Sequence, residues 1–164
     1  MIKSGKKKIK PIVFVLSDPD FVDKMKLGTS NELLSFKEIC DVQKDGWTIG
    51  SHGATHADLC QLSKVGLGRE IKGSKKKLEK ILKSKVSYFS YPKSRIFPKS
   101  KEVVKQAGYS LAFIIHGGSI SRHADKLEIS RVGIDGTHTF SEFKSTISPS
   151  TIFFRDFINK LCQK

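Results

Sequence analysis

Short apolar runs along the chain alternate with longer segments whose apolar residues recur at helical spacing. The runs are rich in β-branched and aromatic residues and are not interrupted by polar positions, which is typical of strands covered on both faces. We predict five strands from them, at residues 12–16, 47–49, 87–91, 111–115 and 128–134.

Helical periodicity fills the intervals between these runs. The clearest segment runs from Leu67 to Leu82, with apolar residues on one face and lysines on the other. The glycines that follow Asp45 and Ala107 are typical helix ends. The alternation predicts one parallel α/β domain over residues 1–164, with its chemistry at the carboxyl ends of the strands. The predicted helices lie at residues 30–44, 67–82, 99–107, 140–147 and 151–162.

The composition fits a globular domain with an anionic partner. Hydrophobic residues make up 38% of the 164 residues and charged residues 28%, which excludes an intrinsically disordered chain. Lysine and arginine number 30 against 16 acidic residues, and the net charge of +14 suggests nucleic acid, an acidic polymer or a membrane surface. No apolar run is long enough to span a bilayer. The 3 cysteines are widely spaced, which argues against a disulfide framework.

Two histidines that are four residues apart, His52 and His56, follow the second predicted strand. If the loop turns helically after Gly50, both imidazoles project from one face. Neutral imidazoles suit a divalent transition metal such as zinc, which needs a third ligand, usually a carboxylate. The alternative is a pair of polar loop histidines with no ligand, because such short patterns recur by chance.

Other candidate residues follow later strands. Pro92 restricts Tyr91 to extended backbone, where the Tyr91 N–H could donate to a developing oxyanion; the alternative is an ordinary strand end. Arg131 or Asp135 could face a site, or the two could form a structural ion pair. His116 directly follows the fourth predicted strand and is a candidate for proton transfer.

In this order, the segments resemble the polysaccharide deacetylases, the fourth family of carbohydrate esterases. Residues 49–63 look like the metal-binding motif of that family, and residues 89–93 look like its Phe-x-Tyr-Pro-x-Gly motif, with Ser94 in place of glycine. Residues 103–113 resemble the helix-Ala-Gly-Tyr-strand passage that follows, and residues 130–136 resemble a late strand. The resemblance extends from about residue 10 to about residue 147.

The resemblance implies a distorted (β/α) barrel and a metal-dependent hydrolysis that removes N-acetyl groups from the amino sugars of a polysaccharide. In the family a carboxylate and the two motif histidines hold the metal, often zinc, which polarises the acetyl carbonyl and positions a water. Carried over to this chain, His52 and His56 are the metal ligands. Tyr91 is the oxyanion residue, and Pro92 and Arg131 belong to the substrate site.

The chain departs from the family pattern at its amino end. The Thr-Phe-Asp-Asp-Gly motif, which supplies the general base and the third ligand, has no counterpart, and residues 12–16 look like the second strand of the family. We therefore expect the first strand and most of the first helix to be missing, the Lys-rich start to be the tail of that helix, and the activity to be impaired. Asp18 or Asp20 is a candidate substitute ligand, and His116 is a candidate general acid.

Alternatives remain for both the amino end and the function. The chain is a truncated product, a degenerate relative, or a chain that receives its missing strand from another chain. A degenerate relative would bind carbohydrate without hydrolysis. A nucleic-acid-binding protein ranks last, because it rests on the net charge alone and the basic residues spread along helix faces; the charge also suits an anionic glycan. We expect a cytoplasmic location as the chain stands, or the cell envelope or secretion if a preceding segment carries a signal peptide.

Overall fold

A five-stranded parallel sheet forms the centre of the protein. The computed structural model describes residues 3–4, 7–8, 10–21, 33–116 and 120–162. The strands follow chain order across the sheet, β3-β4-β5-β6-β7, and each pairs in parallel with the next. They are β3 (Ile12–Val15), β4 (Thr48–Ser51), β5 (Tyr88–Ser90), β6 (Leu111–Ile115) and β7 (Ile129–Arg131).

Helices connect the strands at the intervals that the apolar spacing predicts. The segment between β4 and β5 is one continuous helix from residue 64 to residue 82, whose middle turn is π-helical. None of the helices in the described ranges has the length and apolar character that crossing a membrane requires. The helices are α1 (Phe36–Lys44), α2 (Lys64–Leu67), the π-helical turn (Gly68–Gly73), α3 (Ser74–Leu82), α4 (Pro98–Gln106), α5 (Phe140–Thr146) and α6 (Pro149–Cys162).

Helix α1 begins later than the predicted start at residue 30. Ser35 caps it, because its side chain accepts the Glu38 N–H while the Glu38 carboxylate accepts the Ser35 N–H at 2.8 Å. Leu33 and Leu34, which the spacing placed in the helix, therefore precede it. Residues 30–32 lie outside the described residues.

Residues 3–4 and 7–8 of the Lys-rich start lie in strands and not in a helix. Two short strands, β1 (Lys3–Ser4) and β2 (Lys7–Lys8), pair antiparallel to each other and are separate from the parallel sheet. The expectation of a helical tail is therefore wrong for these four residues, while Met1, Ile2 and residues 5, 6 and 9 lie outside the described ones.

The main core lies between one face of the sheet and the connecting helices. Phe89 of β5 is fully buried at its centre, and its ring packs against Tyr91 and Tyr109 at centroid distances of 5.2 and 5.1 Å. Burying each such side chain contributes about 1.5–3 kcal/mol to the stability of the fold. The helix residues packed around it include Ile39, Leu67, Ile71, Leu78 and Val104.

The other face of the sheet is only half-covered. Phe14 and Tyr88 each lie edge-on to Phe113, at centroid distances of 5.5 and 6.3 Å, and all three rings are half-buried. We call this surface the inner face. The sequence predicted a sheet that is buried on both faces. Only the face that packs against the helices is fully buried. Among the described residues the sheet stays open, with β3 and β7 at its edges.

Candidate functional site

The candidate residues lie side by side along one edge of the sheet. Because all five strands are parallel, their carboxyl ends meet at this edge. Asp18 comes after β3, His52 after β4, Tyr91 after β5 and His116 after β6, while Arg131 is the last residue of β7. The candidate residues therefore follow, or end, strands whose carboxyl ends share one edge of the sheet.

His52 is held in one orientation and one tautomer. Its backbone N–H donates to the Val15 carbonyl at 2.8 Å, and its Nδ1 lies 2.7 Å from the Ser90 carbonyl oxygen. A carbonyl only accepts, so Nδ1 carries the proton and Nε2 is the unprotonated nitrogen. Burial lowers the pKa of His52 to about 4 despite the Ser90 hydrogen bond, with help from His56 and Arg131. His52 is therefore neutral at pH 7.

His56 packs against His52 through an unusual backbone conformation. The two rings meet edge to face, with centroids 4.9 Å apart and planes at 64°. His56 has a φ of +63°, in the left-handed region that non-glycine residues avoid, and Gly53 before it has a φ of +91°. Partial burial and the nearby Lys93 charge lower the pKa of His56, against the opposing effect of Glu70. The loop is not helical, so the expected convergence occurs by a different geometry from the predicted turn.

The loop that carries the histidines is anchored on two sides. On one side, both carboxylate oxygens of Glu70 accept hydrogen bonds from Ala54 and Thr55. On the other side, Asp58 forms an ion pair with Arg95, which follows the Tyr-Pro turn. These anchors fix the loop between the long helix and the turn after β5.

Arg131 is connected to His52 through Ser90. An Arg131 Nη donates to the Ser90 hydroxyl at 2.6 Å, while the Ser90 carbonyl is the partner of His52. The guanidinium lies over the Phe14 ring, 5.1 Å from its centroid. Burial lowers the pKa of Arg131, and its Nε is buried without a hydrogen-bond partner among the described residues. Arg131 therefore contacts Ser90, a neighbour of the candidate site, while Asp135 pairs with His138.

Asp18 does not join the histidines as a metal ligand. Its carboxylate accepts the Ser17 hydroxyl at 2.8 Å and pairs with Lys77 Nζ at 2.5 Å. Partial burial would raise the pKa of Asp18, but these hydrogen bonds outweigh it and lower the pKa. Within the described ranges no three His, Cys, Asp or Glu residues form a group that could hold a metal ion. The structure therefore does not support the expected third ligand.

The donors of Tyr91 are used inside the protein. Its backbone N–H donates to the Phe113 carbonyl at 3.0 Å, and its buried hydroxyl donates to the Leu127 carbonyl at 3.1 Å. Burial raises the pKa of the phenol. The expectation that the Tyr91 N–H binds an oxyanion is therefore not supported. Pro92 is buried beneath the site edge, whereas His116 is exposed at the end of β6.

The histidine pair fits a divalent transition metal in part. Both imidazoles have lowered pKa values, so both are neutral at pH 7, the form that binds a metal. The hydrogen bond from His52 Nδ1 to a backbone carbonyl is one that metal-binding histidines usually have. A catalytic zinc site takes three protein ligands, and the described residues supply two.

Sequence reasoning missed two residues that organise the site. Ser90 is a motif residue to which no role was assigned, and it contacts both His52 and Arg131. Glu70 is only 4% exposed although it is acidic. The available signal was its position, because it lies between Leu67 and Ile71 on the face whose spacing predicts burial.

Comparison with known proteins gives a consistent result. A family model described as polysaccharide deacetylase matches residues 5–112. A polysaccharide deacetylase from Bacillus cereus superposes with a TM-score of 0.71 and 29% identity, over 90% of this chain and 44% of its own. The Streptococcus pyogenes deacetylase PplD, solved in complex with acetate, matches with a TM-score of 0.70 over 85% of this chain and 59% of its own; its 22% identity shows the fold alone.

The chain spans only about half of the length of these solved proteins, 44% and 59% respectively. No curated protein matches the sequence.

Proposed function

The chain belongs to the polysaccharide deacetylase family, and from this premise we propose that its His52–His56 site hydrolyses N-acetyl groups on the amino sugars of a polysaccharide and releases acetate. The observation that carries the proposal is the pair of neutral imidazoles, in edge-to-face contact at the carboxyl edge of the sheet, with His52 Nε2 left as a ligand nitrogen. The net charge of +14 suits an anionic glycan as substrate.

The proposed cofactor is a divalent metal, zinc by preference, held by His52 and His56. When bound, the metal would polarise the acetyl carbonyl and activate a water. Because catalytic zinc needs three protein ligands, the site requires a carboxylate from outside the described residues. Because the sequence also lacks the Thr-Phe-Asp-Asp-Gly motif, we propose that the activity of this chain by itself is impaired.

The remaining candidate residues have supporting roles in the proposal. Arg131 provides a positive charge next to Ser90 and His52, and we assign it to the binding of the acetate product. His116, exposed after β6, is the proposed general acid for the leaving amine. Tyr91 and Pro92 form the buried floor of the site edge.

Zinc titration of chelator-treated protein tests the metal assignment. We expect weak binding of one zinc per chain, with loss of the calorimetric signal in His52→Ala and in His56→Ala. The matched control is His138→Ala, because His138 lies away from the pair and contacts Asp135. Zinc binding that is unchanged in both site variants would remove the metal assignment.

A second candidate function is carbohydrate binding without hydrolysis. It is favoured because the described part of the chain supplies only two metal ligands, His52 and His56, where a catalytic zinc needs three. It predicts that N-acetylglucosamine oligomers bind without release of acetate, and that His52→Ala leaves their affinity nearly unchanged. A hydrolytic site predicts turnover that depends on both zinc and His52.

A further inference from the structure

We infer that Glu70 is a positioning residue, which holds the loop of residues 53–56 so that His56 is presented beside His52. The inference rests on the proposed function in one respect, since it takes these two histidines as the site. It goes further by assigning a role to a buried acid on the long helix, outside both motifs.

The hydrogen bonds of Glu70 all converge on one loop. Its Oε2 accepts the backbone N–H of Ala54 at 2.9 Å and that of Thr55 at 3.0 Å, and its Oε1 accepts the Thr55 hydroxyl at 2.8 Å. The residue is only 4% exposed, and no ion pair of the described residues includes it. Burying an acidic group is costly unless its oxygens are satisfied, so the carboxylate and the loop fix each other.

The loop has a conformation that needs such a support. His56, at a φ of +63°, is in the left-handed region, which costs about 1–2 kcal/mol for a residue with a side chain. Gly53, at a φ of +91°, brings the backbone close to the acid: a Cβ at this position would lie 3.0 Å from Glu70 Oε2. Glycine therefore leaves the room that the carboxylate occupies, and the hydrogen bonds offset the strain at His56.

The position of Glu70 in the helix suits this task. It lies in the π-helical turn of residues 68–73, next to Ile71, and both are buried. Ile71 belongs to the main core, so the helix that carries the carboxylate is fixed by packing. The loop is thereby tied to a helix that packs against the main core.

The experiment compares Glu70→Ala, Glu70→Gln and Glu79→Ala with the unaltered chain. Glu79→Ala is the matched control, because Glu79 also accepts a backbone N–H, that of Val86 at 3.0 Å, but away from the loop. The readouts are amide hydrogen exchange at Ala54 and Thr55, the imidazole NMR signals of His56, and the affinity for zinc.

For Glu70→Ala we expect at least about tenfold faster exchange at both amides, shifted His56 signals and at least about tenfold weaker zinc binding. Glu70→Gln should be close to the unaltered chain in exchange rates, His56 signals and zinc affinity, because its amide oxygen still accepts the two backbone N–H groups. Glu79→Ala should lower the stability and leave the His56 signals unchanged. The inference would be overturned if Glu70→Ala matched the unaltered chain in amide exchange, His56 signals and zinc affinity.

Two further outcomes are separable. If the unaltered chain binds no zinc, the metal assignment fails, and the exchange and NMR readouts still decide the role of Glu70. If Glu70→Ala does not fold, Glu70→Asp replaces it: this variant keeps the charge and shortens the side chain by one methylene. Unchanged exchange and His56 signals in Glu70→Asp then overturn the inference, and altered ones support it.

Discussion

At the scale of single residues, the site depends on how each imidazole is fixed. The Ser90 carbonyl selects the tautomer of His52, and the edge-to-face contact sets the position of His56. The histidine spacing predicted a convergent pair only if the loop were helical, and the two rings meet through a loop that is not helical. The left-handed backbone of His56 could not be predicted, because it belongs to a loop whose contacts with Glu70 join residues that are distant in the sequence.

The lowered pKa of His52 predicts a loss of stability in acid. An unfolded His52 has its ordinary pKa of 6.5, and the folded one about 4. The unfolded state therefore binds the proton more readily, so stability falls as the pH drops below 6.5 and the loss levels off near 4. The total contribution is about 3 kcal/mol for a shift of this size.

The test is urea unfolding of metal-free protein, with chelator present, at pH 7.5 and pH 4.5. Other groups also titrate in this range, so the comparison is with His52→Asn, which cannot bind the proton. We expect the unaltered chain to lose about 2–3 kcal/mol more than the variant between the two pH values. Equal losses in the two proteins would show that His52 is not buried as a neutral imidazole.

At the scale of elements, the sequence predicted most of the strands and helices because local patterns determine them. Strand β6 occupies its predicted range of residues 111–115, and α4 differs by one residue at each end. The start of α1 was missed because a capping box at Ser35 overrides the apolar spacing of Leu33 and Leu34.

Roles that depend on contacts between distant elements were the ones that sequence reasoning assigned wrongly. Asp18 pairs with Lys77, a residue of α3, so a carboxylate that looked available is engaged. The Tyr91 N–H donates to Phe113 of β6, so a donor that looked available belongs to the sheet. Spacing along the chain carries no information about either partner.

The contact between β3 and β4 on the inner face gives a prediction at this scale. A Cβ at Gly50 would lie 2.6 Å from two carbons of the Phe14 ring and 3.2 Å from the Tyr88 carbonyl oxygen. Gly50→Ala must therefore displace the ring on which Arg131 stacks. We expect a loss of about 1–3 kcal/mol in the free energy of unfolding, measured with urea.

The matched control is Gly68→Ala, because a Cβ at Gly68 meets nothing within 4 Å and the residue is helical. This change should stabilise the protein slightly, by about 0.5–1 kcal/mol. In a chain that already carries Phe14→Ala, Gly50→Ala should lower the free energy of unfolding by less, because the ring that clashes is absent. A Gly50→Ala chain as stable as the original contradicts the described packing of the inner face.

At the scale of the whole molecule, two observations point to the same chemistry. The histidine pair has no carboxylate partner within the described residues, and the buried Nε of Arg131 has no acceptor there. Both groups lie at the carboxyl edge of an open sheet whose first strand, β3, has a free edge among the described residues. A carboxylate supplied at this edge would complete the ligand set of the histidine pair and would suit the positive charge of Arg131.

The measurement that tests this account most directly is acetate release from N-acetylglucosamine oligomers with added zinc. The protein to assay is the chain extended at its amino end by a strand and helix that carry Thr-Phe-Asp-Asp-Gly, beside the same extended protein with His52→Ala. The account predicts acetate from the extended chain and none from its His52→Ala variant. No release from the extended chain, or equal release from both proteins, would contradict it.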